Sequence, residues 1–326
     1  MRCLHPIVVE IPDESRLTGK RKIYAPCGKC EACYSNLRAE WQFRLETEFK
    51  HSVNSYFITL TYDDEHLPLD VVRHYTNDLE LVDDIVPVFS KKDISSMMKR
   101  FRKRLGTSGI RFFIAGEYGP QTFRPHYHGL LFNLPNCSIK YVQKVLEDCW
   151  RNGFVSVSRV TPARVGYVAK YINTFTLVPD YYPRPPICSS RNPAIGYQIV
   201  GNADIIDYCR RTKSFTFKRN VNSYGKNVVV STQIPRLFRE RMFTEDELRS
   251  IKDESLKNQF QNNELYFEYK RLYKDFEDGL LDQKGIDRLT TLIKSTSEKS
   301  RREITQQDNF LRMFYKRTKN SHKQNK

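Results

Sequence analysis

The sequence predicts an α+β fold built on a split β-α-β unit around a central antiparallel sheet. Three observations predict it. Strand-like and helix-like hydrophobic patterns alternate in the order β-α-β-β-α-β between residues 55 and 160. The helical segments open on serine caps, and the strands are separated by short turns bearing Gly and Pro. Finally, His126 and His128 stand two apart in a strand pattern, which points both imidazoles to one face.

Each element follows from local chemistry. Residues 1–34 form a cysteine-bearing segment without a strong period. From Asn36 to Phe49, Leu37, Trp41, Leu45 and Phe49 recur every fourth residue, the stripe of an amphipathic helix. Ser55 to Tyr62 is β-branched and aromatic throughout and reads as a strand. Residues 63–89 are acidic and irregular, an inserted loop or hairpin. Ser90 caps a helix with Ile94, Met97, Met98, Phe101 and Leu105 on one face and a row of Lys and Arg on the other, stopped by Gly106.

Ile110–Glu117 and His126–Asn133 are strands joined by a Gly- and Pro-bearing turn. Ser138 to Trp150 is helical and Phe154 to Val160 alternates as a strand. Thr161 then reads as an N-cap with Pro162 in the first turn of a helix carrying Tyr167 and Tyr171. In the usual split topology the first strand and the histidine strand lie side by side at the sheet centre. Residues 175–240, rich in Pro, Tyr and Arg, read as an extension with a weak strand at Lys226–Thr232. Beyond Thr244 the chain is polar and helical, with Leu265, Tyr266, Tyr269, Leu272, Tyr273 and Phe276 as its packing stripe and a basic, disordered tail. The expected organisation is therefore 1–34, 35–240 and 241–326.

Composition narrows the function. Lys and Arg number 54 against 38 Asp and Glu, a net +16 with pI ≈ 9.4, and aromatics make up 13%. That balance suits a polyanion with bases to stack on. From residue 241 onward there are 19 basic and 15 acidic residues, a net of +4, which leaves +12 for residues 1–240. Nucleic acid is therefore expected on the first two-thirds. No apolar run is long enough to span a membrane, and the first residues lack the apolar core of a signal peptide. Eight cysteines in such a chain are thiols or metal ligands in a reducing cytosol.

The chemistry concentrates in three places. His126 and His128, with Glu117 nine residues before His126 at the end of the preceding strand, make a candidate three-ligand metal site with open positions, although paired strand histidines also serve as polar surface. Tyr167 and Tyr171 are helical neighbours at i, i+4 with Lys170 between them; Val165, Val168, Ala169 and Ile172 supply the apolar side of that helix. A phenol ionises near pH ~10, so nearby cations and a metal on the phosphate are what would make it a nucleophile toward DNA. Cys27, Cys30 and Cys33 have zinc-like spacing, with Cys3 as fourth ligand and His5 as its alternative. Cys137, Cys149, Cys188 and Cys209 have no such spacing. A Gly-x-x-x-x-Gly-Lys-Ser/Thr motif does not occur, so unwinding would fall to a partner.

Phe57-Ile-Thr-Leu-Thr-Tyr62, the His126-Tyr-His128 strand and Tyr167-x-x-x-Tyr171 resemble the three ordered motifs of HUH-type rolling-circle replication initiators. Pro26-Cys-Gly-Lys-Cys-Glu-Ala-Cys33 with Trp41, Thr-Tyr-Asp-Asp-Glu-His-Leu-Pro and Arg-Pro-His-Tyr-His-Gly-Leu-Leu-Phe more closely resemble the replication initiation proteins of gokushovirus-like microviruses, small single-stranded DNA bacteriophages. The resemblance covers roughly residues 1–240. It implies an HUH endonuclease fold in which His126 and His128, with Glu117, bind Mg2+ or Mn2+, Tyr167 and Tyr171 alternate as nucleophiles beside Lys170, and a 5′-phosphotyrosine link is made and resealed. The implied partners are single-stranded or supercoiled origin DNA and a host helicase with the replication machinery, in the cytoplasm of the infected bacterium. A plasmid relaxase or single-strand transposase would use the same chemistry. A zinc-stabilised nucleic-acid-binding regulator would use none of it.

Overall fold

A computed structural model describes residues 3, 5–12, 19–76, 78–161, 165–166, 168–169, 178–179, 181–223 and 226–295. Tyr167, Lys170 and Tyr171, with Pro162 and the basic tail, lie outside the described residues. The chain is α+β and divides into two units: Leu37–Asp207 with Thr216–Met242, and Met1–Asn36 with Tyr208–Phe215 and Phe243–Lys326.

In the larger unit, β3 (Ser55–Tyr62), α2 (Lys91–Leu105), β6 (Arg111–Tyr118), β7 (Pro125–Phe132), α3 (Ile139–Trp150) and β8 (Gly153–Arg159) follow one another as the sequence patterns predict, and β9 (Ile187–Ser189) comes later. The sheet order is β8-β3-β7-β6-β9, antiparallel at every pairing. The first four strands of that order are the split β-α-β arrangement, with the histidine strand β7 beside β3 at the centre. Strand β9 has no counterpart in the sequence patterns. It is three residues long and adds to the β6 edge in a stretch that carries no alternation.

Alternation along the strands builds two cores. Tyr56, Ile58, Leu60 and Tyr62 of β3, with Tyr127 and Leu131 of β7, pack on Ile94, Met97, Met98 and Phe101 of α2 and Val142, Val145, Leu146 and Trp150 of α3. On the other face Phe113, Ala115, Leu130 and Phe132 meet Trp41 and Leu45 of α1 (Glu31–Lys50), together with Val165, Val168 and Ala169. The period-four stripe of α1 is thus half realised, since Leu37 remains exposed. Helix α2 starts where Ser90 Oγ accepts from Asp93 N at 3.2 Å and ends on Gly106 at φ 64. Ser138 caps α3 in the same way, its Oγ accepting from Tyr141 N at 3.2 Å. Gly129, after the histidines, fits because a Cβ there would lie 2.8 Å from the Phe113 carbonyl oxygen.

The acidic stretch after β3 is a hairpin, β4 (Leu69–Tyr75) with β5 (Leu81–Pro87). Its neck is closed by a bond from Val88 N to Pro68 O at 2.9 Å. Val86 faces the core, whereas Leu69, Val71, Tyr75, Leu81 and Ile85 are exposed. Farther along, α4 (Ala203–Thr212) precedes a second hairpin, β10 (Thr216–Ser223) with β11 (Lys226–Gln233), and then α5 (Arg236–Met242). The weak strand of the sequence is β11; its partner β10 has no pattern of its own.

The smaller unit holds the hairpin of β1 (Ile7–Pro12) and β2 (Lys20–Ala25), the cysteine segment, and the helices α6 (Glu245–Glu277) and α7 (Gln283–Ser295). Thr244 and Glu247 form a reciprocal capping box at the start of α6. Of its expected stripe, Leu272 and Tyr269 pack with Leu289 and Leu292 of α7, while Tyr273 and Phe276 are exposed.

Candidate metal and nuclease site

Strand register sets the site. Thr61, His126 and Glu117 lie opposite one another on β3, β7 and β6, and the next row of the same face holds Thr59, His128 and Ala115. Below these rows the face is apolar, carrying Leu130 and Phe113. The polar rows therefore sit at the end of a buried surface, half-sheltered rather than open.

The two threonines orient the two imidazoles. Thr59 Oγ1 is 3.1 Å from His128 Nδ1, and Thr61 Oγ1 is 3.0 Å from His126 Nδ1. With Nδ1 engaged on each ring, Nε2 is the nitrogen left for a ligand. His128 Nε2 lies 3.0 Å from Glu117 Oε2. Phe57 stacks on the His128 ring at 6.0 Å. Burial, helped by His128 and by the Arg124 guanidinium, holds the His126 pKa below the ordinary imidazole value despite the opposing pull of Glu117. His126 is thus neutral, as a ligand must be. This donor set of two imidazole nitrogens and a carboxylate suits a divalent ion with open positions. The register brings the three residues to one patch, with Glu117 drawn onto His128.

The opposite face of β7 fixes the strand. Tyr127 Oη accepts from Ser90 N at 2.9 Å and lies 3.2 Å from Tyr62 Oη, which donates to Asp93 Oδ2 at 2.9 Å. Burial keeps both phenols protonated, their pKa values well above that of a free tyrosine. Trp150 Nε1 donates to Thr61 O at 3.2 Å, tying α3 to the threonine strand. At the strand start, Arg124 donates to Tyr62 O at 2.7 Å and pairs with Asp64.

Tyr167, Lys170 and Tyr171 are not described, but Val165, Val168 and Ala169 around them are fully buried on the face that carries His126 and His128. The threonine contribution was missed by sequence reasoning. Its signal was present as Thr-x-Thr on the strand that pairs with His-x-His.

In the smaller unit the four expected cysteines meet. Among the described residues, Cys3, Cys27, Cys30 and Cys33 are the one group of three or more potential ligands whose donor atoms all lie within 4.8 Å of one another. Cys3 Sγ is 3.7 Å and Cys33 Sγ 3.5 Å from Cys30 Sγ, close to the edge of about 3.8 Å for a tetrahedron with metal–sulfur bonds of about 2.3 Å. The cluster can hold a metal ion such as Zn2+. Burial pushes the Cys33 thiol up to about 12, against the pull of the Gly28 amide. Burial also opposes ionisation of Cys27, but the Lys29 amide and the neighbouring thiols outweigh it and bring the group down to about 6. Cys149 and Cys209, by contrast, are buried among apolar neighbours.

Residues 55–176 match the family model described as replication-associated protein ORF2. The chain is 32% identical over 168 residues to replication-associated protein ORF2 of Spiroplasma virus 4, covering 48% of this chain and 50% of that protein. It is 31% identical over 157 residues to replication-associated protein VP4 of Bdellovibrio phage phiMH2K, covering 45% and 47%. Against replication-associated protein ORF4 of Chlamydia phage 1 it is 25% identical over 202 residues, covering 57% and 47%. The chain spans about half the length of the curated relatives it matches. No solved structure matches it.

Proposed function

We propose, from the premise that residues 55–176 are a domain of the replication-associated protein ORF2 family, that this chain is an HUH-type endonuclease and strand transferase. It nicks origin DNA through a tyrosine and initiates rolling-circle replication of a small single-stranded DNA phage. The observation that carries this reading is the pair of rows in which Thr59 and Thr61 hold His128 and His126 by Nδ1. Polar filler needs no such matched orientation. His126, His128 and Glu117 would hold Mg2+ or Mn2+, which supplies charge stabilisation at the scissile phosphate.

The residues of the chain do the rest. The phenol oxygen of Tyr167 or Tyr171 attacks phosphorus, and the bond from phosphorus to the 3′ oxygen breaks. The phenolic proton is lost to solvent, the departing oxygen takes one up, and a 5′-phosphotyrosine and a free 3′-OH remain. Ester energy is conserved, so the joint reseals without ATP. Lys170 favours the phenolate. A second phenol one helical turn away lets one chain cut again to release a circle while the first is still esterified. The burial of Val165, Val168 and Ala169 on the histidine face supports bringing those phenols to the metal. The cysteine cluster takes a structural Zn2+ and no part in the chemistry. Single-stranded or supercoiled origin DNA is the substrate, a host helicase unwinds, and the work is done in the cytoplasm of the infected bacterium. Among the described residues no helix is long and apolar enough to cross a membrane.

Labelled single-stranded oligonucleotides tiled across the genome that encodes the chain provide the test. One of them should yield an SDS-stable protein–DNA adduct with Mg2+ or Mn2+. EDTA, His126→Ala or the double variant Tyr167→Phe/Tyr171→Phe should each abolish it. A phosphotyrosine mapped outside residues 167 and 171, or full cleavage by the double histidine variant in chelator, would overturn the assignment. Binding without any adduct would leave the non-catalytic regulator.

A further inference from the structure

Between Asp207 and Glu240 the chain contains no Asp or Glu, although acids make up 38 of its 326 residues. The hairpin β10–β11 occupies the middle of that stretch, paired without a break from Thr216↔Gln233 to Ser223↔Lys226. Its two faces differ. Phe217 and Thr232 are buried, and the Phe217 ring meets the edge of Phe43 on α1 at 5.2 Å. Arg219 on the same face donates to Thr232 Oγ1 at 2.9 Å and pairs with Glu46 of α1. The alternate positions Lys218, Asn220, Val229, Ser231 and Gln233 are exposed, with Lys218 opposite Ser231 and Asn220 opposite Val229.

This root stands beside the tyrosine-bearing segment. Glu46, which holds Arg219, accepts from Gln42 Nε2 at 2.9 Å, and a Cβ on Gly166 would lie 3.5 Å from that same Gln42 nitrogen. An eight-residue strand spans about 26 Å. A two-stranded ribbon fits a major groove about 12 Å wide.

We infer that the β10–β11 ribbon reads duplex DNA, laying its exposed face in the major groove next to the strand that is cut. The side chains suit base edges. Asn220 and Gln233 carry amides that can pair with adenine N6 and N7, Val229 offers methyls to a thymine methyl, and Lys218 supplies charge to phosphate. The absence of acids along the ribbon lets it approach a polyanion without repulsion. The inference rests on the nickase reading only for the choice of DNA as the polyanion. It gives that reading what single-strand chemistry lacks, a way to choose the origin while it is still paired.

Binding alone tests it, on the full chain. Selection from a randomised duplex library should enrich a motif, and fluorescence anisotropy then compares that duplex with a scrambled one. Asn220→Ala and Gln233→Ala should each lose about tenfold or more on the enriched duplex and little on the scrambled one. Lys218→Ala should weaken both alike and lower the slope of log affinity on log salt by about one. Ser231→Glu should remove duplex binding by repulsion with the melting temperature retained. No enriched motif, or wild-type affinity in Asn220→Ala and Gln233→Ala, overturns the inference. Because no cleavage is read, a failure here leaves the covalent-adduct test standing. Loss of the adduct likewise leaves this measurement intact.

Discussion

Thr59 and Thr61 decide which nitrogen of each imidazole is left for a ligand, and they do so from a strand that itself supplies no metal-binding atom. Thr59→Val and Thr61→Val keep shape and strand preference but delete the hydroxyl. Each is expected to weaken Mn2+ binding about 10–100-fold, as loss of an orienting partner to a ligating histidine does. The melting temperature should shift little, since one half-exposed hydrogen bond contributes about 1 kcal/mol. Titration of Mn2+ followed by electron paramagnetic resonance reads the affinity directly; unchanged binding in both variants would show the threonines to be bystanders. At the same scale, the spacing of the four cysteines was legible because zinc needs a particular set of ligands. The threonine role was not, because it exists only once the register of two strands is known.

At the scale of elements, β7 is held in place from the face opposite its histidines. Tyr127 accepts the Ser90 amide at the start of α2, so the strand and the helix cap share one hydroxyl. Tyr127→Phe strands that amide and is expected to cost about 1–3 kcal/mol. Urea unfolding with an unchanged m-value would report it, and a loss below about 0.5 kcal/mol would mean that the latch carries no load. Elements whose signals are local were readable: the alternation of β3, the serine caps of α2 and α3, the glycine stop of α2. Elements that add to an edge or stand clear of the core were not. Strands β1, β9 and β10 bury too little to impose an in–out alternation, so nothing in their composition distinguishes them from loop. The tyrosine-bearing segment rests on spacing and resemblance, and only Val165, Gly166, Val168 and Ala169 of it are described.

Across the whole molecule, two metal-binding chemistries are kept in separate units, oxygen and imidazole donors in one and thiols in the other. They should be separable by experiment. Cys30→Ser is expected to lose about one equivalent of zinc by elemental analysis and to lower the melting temperature, because binding at such a site is folding energy. Its Mn2+ affinity at the histidines should be that of the wild type. Zinc must displace protons from the thiols, so its affinity should fall as pH drops through about 6, where Cys27 protonates. Wild-type protein that is fully stable and zinc-free would leave only reduced thiols at this place.

The hairpin β4–β5 leaves the sheet and returns through a neck closed by the bond from Val88 N to Pro68 O. A closed neck means that the central strands need nothing beyond it except the anchoring of Val86. Loop-closure entropy rises by only about 0.6 kcal/mol for each doubling of length. Length and sequence beyond the neck are therefore thermodynamically free to vary, whereas a one-residue slip of β3 against β7 would turn every threonine away from its histidine. The scaffold carries, in the same connection, a segment that tolerates grafting and a register that does not, and an engineered recognition loop would be inserted at the first.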